Sequence, residues 1–118
     1  MSIAVQNITP VIGAEVSGID LAQIDDLSAA ALRRLLADRG VLVFRDQQLD
    51  HAAHKRVAAC FGTGELHCHP LALAAGSADP AVLPIKTTAA SAYAAGDGWH
   101  TDVSCDRTPI RASLRPKP

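Results

Sequence analysis

One junction constrains the fold of this chain more than any other stretch: Leu35-Leu36-Ala37-Asp38-Arg39-Gly40-Val41-Leu42-Val43-Phe44. Before Gly40 the apolar residues recur at helical spacing. Ala31, Leu32, Leu35 and Leu36 form one stripe, while Arg33, Arg34 and Asp38 face away, so the arginines read as a solvated face. Ser28 reads as the N-cap, and Leu27 and Leu32 have the spacing of a hydrophobic staple. These signals predict a helix over Ala29 to Arg39, with Gly40 in the position of a left-handed C-cap. Val41 to Phe44 follows as an unbroken run of β-formers, which predicts a buried strand. A helix that passes through one glycine into a strand of this kind points to the α+β class.

The flanking segments agree with that class. Val11 to Val16 alternates loosely as a strand until Gly18 breaks it. Asp50 caps a second helix, about His51 to Phe61, with Ala53, Val57, Ala58 and Phe61 on its buried side; Gly62 ends it. His51 and His54 read as exposed helix residues. Leu71 to Pro84 is rich in Ala, Gly, Ser and Pro and reads as a loop. Ala81 to Lys86 reads as a short strand that Pro84 confines to an edge. Thr87 to Gly98 reads as a small-residue loop.

The chemistry is concentrated in Trp99-His100-Thr101-Asp102-Val103-Ser104. On a strand, positions i and i+2 share a face, so His100 and Asp102 can reach one ion. An imidazole and a carboxylate are two thirds of a 2-His-1-carboxylate facial triad, which leaves open positions on Fe(II). The competing reading is a surface turn in which Asp102 accepts a local hydrogen bond. A second cluster is Glu65-Leu66-His67-Cys68-His69-Pro70, where His67 and His69 can share a face. It has no partner cluster at zinc-type spacing.

Four segments in order resemble the taurine dioxygenase (TauD/TfdA) family of Fe(II)- and 2-oxoglutarate-dependent dioxygenases. They are Gly13-Ala14-Glu15-Val16-Ser17-Gly18-Ile19-Asp20-Leu21, Gly40 to Gln47, Phe61 to Pro70, and Trp99 to Ser104 with Thr108-Pro109 beyond. The resemblance implies a double-stranded β-helix (a jelly-roll, cupin-like, clavaminate synthase-like fold) with flanking helices. It implies His100 and Asp102 as metal ligands, and His69 and Val103 as substrate-binding residues, with His69 holding an anionic group. It implies Fe(II) as cofactor, 2-oxoglutarate as co-substrate, and a small anionic organic acid (a sulfonate, a sulfate ester or similar) hydroxylated with O2. Thr87 to Gly98 would be a lid. Ala72 and Gly96 stand where taurine-specific enzymes carry Tyr and Asn, which argues against taurine itself. Two extra residues follow Phe61-Gly62, which loosens the register at His69.

Composition narrows the rest. A chain of 118 residues is one domain at most, assigned here to 1–118. The net charge of −1 provides no basic field for nucleic acid. No apolar run approaches a membrane span. Three cysteines without a Cys-x-x-Cys fit free thiols in a reducing cytoplasm. Arg111 to Pro118, with two prolines and three basic residues, cannot supply a central barrel strand. The family's distal iron-binding His and its 2-oxoglutarate-binding Arg have no counterpart. The expectation is therefore an incomplete jelly roll: an N-terminal portion truncated after the His-x-Asp motif and inactive by itself. The rivals are a non-catalytic binding or self-associating module, whose open strand edges would favour a homo-oligomer, and an unrelated α+β domain.

Overall fold

The computed structural model describes residues 3–92 and 98–115. Residues 93–97, within the expected lid and including Gly96, and the last three residues of the basic Arg111–Pro118 run lie outside the described residues. The chain divides into two compact units, residues 1–65 with 114–118, and residues 66–113.

The first unit is α+β, as the helix–glycine–strand junction predicts. Its sheet has the order β1-β2-β3, with β1 (Ala4–Asn7) antiparallel to β2 (Ala14–Ser17) and β2 parallel to β3 (Leu42–Val43). Val5 stands opposite Val16, and Ala14 opposite Leu42. In β2 the period of two is plain: Ala14 and Val16 are buried, Glu15 and Ser17 are not. The strand expected from Val11 starts three residues later, because the chain first makes a tight loop. Ile12 donates its N–H to Thr9 Oγ1, Ile8 N donates to Gly13 O, and Gly13 takes φ +85°. The expected Val41–Phe44 strand shortens to two half-buried residues, and Val41 is exposed. As an edge strand, β3 covers only part of its apolar run.

Helix α1 (Asp26–Arg39) starts a turn earlier than predicted. Asp25, not Ser28, is the N-cap: its Oδ1 accepts from Ser28 N at 2.7 Å. Two good capping residues stand three apart, and the carboxylate takes the role by reaching the N–H of the other. Leu27 is exposed, so no staple forms. The buried stripe runs through Ala29 and Leu32, with Leu35 and Leu36 half buried and Ala31 in solvent. Gly40 closes the helix at φ +68°, donating to Leu36 O as its position predicts.

Arg33 and Arg34 are exposed, as the solvated face predicts. Arg33 donates to Cys60 O at 2.6 Å, and Arg39 is buried. From the last turn of α1, the Arg39 guanidinium donates to the carbonyls of Thr9 (2.6 Å), Gly13 (3.3 Å) and Pro10 (3.4 Å). A cation there opposes the helix dipole and fastens the β1–β2 loop to the end of α1.

Helix α2 (His51–Ala59) has the predicted cap, with Asp50 Oδ1 accepting from Ala53 N at 2.7 Å. Ala53, Val57 and Phe61 are buried as expected. His54 is half buried rather than exposed, its Nε2 lying 3.2 Å from Leu114 O. Val57 and Phe61 complete a core with Val16, Leu32 and Leu21, the last supplied by a single 3-10 turn (Leu21–Gln23). Gln47 braces that turn, accepting from Leu21 N and donating to Ile19 O.

The second unit is sparser. Helix α3 (Pro70–Ala74) stands where a loop was expected, with Pro70 in the first turn, where its missing N–H costs nothing. No strand forms over 81–86 among the described residues; His69 N donates to Pro80 O instead. Ala72 is this unit's one buried apolar residue among those described. No helix among the described residues is long and apolar enough to cross a membrane.

Candidate metal centre

His100 and Asp102 lie in an irregular turn, not on a strand. Two backbone features bend the chain there. Gly98 takes φ +144°, and Val103 takes φ +51°, a left-handed conformation that a β-branched residue adopts only under constraint. The constraint is local: Thr101 and Ser104 join hydroxyls at 2.6 Å, and Asp106 N donates to Val103 O. The turn still brings the two predicted ligands together, with His100 Nε2 and Asp102 Oδ1 3.2 Å apart. Trp99 beside them stands wholly in solvent.

A hydrogen bond orients the imidazole of this pair. His100 Nδ1 lies 2.7 Å from the Gly98 carbonyl oxygen. A carbonyl can only accept, so Nδ1 carries a proton and Nε2 is the ring nitrogen turned towards Asp102; in the neutral ring that nitrogen presents a lone pair. A lone pair facing a carboxylate oxygen is repulsive unless a proton or a cation lies between them. The 3.2 Å separation also suits a cation. Metal–ligand distances of about 2.1 Å give ligand–ligand edges of roughly 3.0 Å in an octahedron and 3.4 Å in a tetrahedron. A histidine whose far nitrogen donates to a backbone carbonyl is the usual arrangement of a metal-bound imidazole. The donor set thus fits a divalent cation. Among the described residues no group of three or more His, Cys, Asp or Glu is assembled to hold one, so the pair supplies two protein donors.

The remaining predicted residues are placed as follows. His69 caps α3: its Nδ1 accepts from Leu71 N at 3.2 Å. The neutral ring then carries its proton on Nε2, leaving a donor there. Val103 is half buried, next to Asp102. The rings of His67 and His69 meet edge to face with centroids 6.4 Å apart, and His67 Nδ1 lies 3.9 Å from Asp106 Oδ2. Ala72 is buried in α3. Sequence reasoning did not single out Gly98 as the group that orients His100, although a glycine two residues before a candidate ligand is a visible signal. Cys60, Cys68 and Cys105 are free thiols.

A turn that brings an imidazole nitrogen and a carboxylate oxygen together from positions i and i+2 is a candidate carboxylate–histidine cation site. The model of the taurine catabolism dioxygenase TauD, TfdA family matches residues 4–114, and the chain belongs to that family. It is 31% identical over 113 residues to the alpha-ketoglutarate-dependent dioxygenase cnsP of Penicillium expansum, covering 89% of this chain and 30% of that protein. It is likewise 31% identical over 114 residues to an alpha-ketoglutarate-dependent sulfonate dioxygenase of Saccharomyces cerevisiae, covering 89% of this chain and 27% of that protein. Among solved structures it is similar to a taurine dioxygenase from Burkholderia xenovorans, with a TM-score of 0.50, 38% identity, and coverage of 52% of this chain and 22% of that one. It is also similar to AAD-2 in complex with Mn(II) and N-oxalylglycine, with a TM-score of 0.51, 28% identity, and coverage of 52% and 25%. The chain therefore spans 27–30% of the length of these curated relatives.

Proposed function

We propose that this chain is the N-terminal portion of an Fe(II)- and 2-oxoglutarate-dependent dioxygenase domain of the double-stranded β-helix type. It acts on a small anionic organic acid, with a sulfonate or sulfate ester first among the candidates. The sulfonate dioxygenase among its relatives supports that substrate class. His100 Nε2 and Asp102 Oδ1 hold the iron, and the Gly98 carbonyl keeps the proton on the other nitrogen of His100. When bound, iron with 2-oxoglutarate supplies the activation of O2 that hydroxylates the substrate. His69 offers its Nε2–H to the anionic group, and Val103 packs against the substrate. Free thiols suit a cytoplasmic setting.

The observation that carries this reading is the approach of His100 Nε2 to Asp102 Oδ1 at 3.2 Å, with the Gly98 carbonyl holding a proton on Nδ1. Mn(II), a redox-silent stand-in for Fe(II), tests it. Titration of the chain followed by electron paramagnetic resonance should show one bound ion, lost in His100→Ala and in Asp102→Ala. Binding that persists in both variants would refute the assignment. With two protein donors, residues 1–118 alone should release no succinate from 2-oxoglutarate above the level of free iron.

A further inference from the structure

The two oxygens of Asp102 have different partners. Oδ1 faces His100 Nε2, while Oδ2 accepts a 2.6 Å hydrogen bond from the hydroxyl of Ser113, eleven residues further along. The direction is fixed, because an ionised carboxylate can only accept. A hydroxyl–carboxylate bond of this length is of the charge-assisted kind.

We infer that Ser113 is a positioning residue for the cation site: its hydroxyl engages Oδ2, so that Asp102 turns Oδ1 towards His100 Nε2. This rests on the reading of His100 and Asp102 as ligands. A carboxylate without such a restraint turns about its last bond and can present both oxygens to one cation. In that mode it occupies two positions, one of which a facial site must leave open for co-substrate. A donor on the far oxygen opposes the turn and lowers the entropy lost when the ion binds. Neither the turn around Val103 nor the Gly98 contact does this, since both act on the backbone or on the imidazole.

Ser113 is exposed, so its replacement leaves no buried group unpaired. The test compares Mn(II) affinity of the whole chain with Ser113→Ala and Ser113→Thr. The alanine variant should bind about ten-fold more weakly, the lower end of the loss typical of a ligand's hydrogen-bonding partner. The threonine variant, which keeps the hydroxyl, should restore affinity to within about two-fold of the parent, since the same partner is present. An alanine variant that binds like the parent overturns the inference, as does a threonine variant as weak as alanine. Parent and His100→Ala are titrated alongside. If the parent binds and His100→Ala does not, failure at Ser113 concerns Ser113 alone. If the parent does not bind, or His100→Ala still binds, the ligand assignment fails and the positioning role goes with it.

Discussion

The two compact units differ in what holds them. Residues 14–61 contain Val16, Leu21, Leu32, Val57 and Phe61 as one buried cluster, and a buried arginine that closes a loop. Residues 66–113 contain one buried apolar residue among those described, Ala72, yet carry His67, His69, His100 and Asp102. The unit with the packing lacks the candidate chemistry, and the unit with the candidate chemistry is held by turns, caps and polar pairs. Metal sites are often completed by the ion itself, because binding free energy is folding free energy where no core exists. Local stability follows buried contact, so the two units should open at different free energies.

The contrast can be broken most directly at Leu32. Truncating this fully buried side chain to alanine should cost about 3 kcal/mol or more, through lost transfer and the cavity left behind. Native-state hydrogen exchange should show the loss across 14–61. Equal protection of the second unit in the parent chain would erase the distinction between the units. Arg39 sharpens the same comparison. Arg39→Met keeps the stem but removes the donor to the carbonyls of Thr9 and Pro10, while Gly13 O keeps the Ile8 N–H, at a cost of roughly 1–3 kcal/mol. Urea midpoints should fall for Arg39→Met and stay level for Arg34→Met, whose parent side chain is exposed.

The smallest effect is at Asp25. The backbone N–H of Ser28, first among several causes, holds this carboxyl below its ordinary value of 3.8. A depressed carboxyl stabilises the folded state above its unfolded value. That contribution is lost as pH falls through the lowered folded value. Asp25→Asn keeps an acceptor at the cap but does not titrate. Urea midpoints measured below pH 3.8 should therefore fall less steeply with acid in the variant than in the parent.

Where the sequence was legible, one physical signal dominated. Asp50, Gly40 and the Ala53-Val57-Phe61 face each had a single consistent reading, and all three hold. The start of α1 was misread because Asp25 and Ser28 are both good caps and only the backbone decides between them. Helix α3 carried its signal, a capping residue before Pro70, but the surrounding Ala, Gly and Ser read as loop. For His100 and Asp102 the spacing anticipated their proximity, while the strand argued for it is absent. A turn with Gly98 and Val103 at positive φ brings them together instead. The Ser113 contact, eleven residues distant, has no local signature at all.

Trp99 is the chain's single tryptophan, and its indole stands in water one residue before His100. Indole emission is therefore an intrinsic optical gauge of this turn, with no background from the apolar core. Open-shell ions that settle beside His100 quench such an emitter at short range, whereas a diamagnetic ion changes it only by reordering the solvent around the ring. The chain thus carries its own label at the place where its occupancy matters.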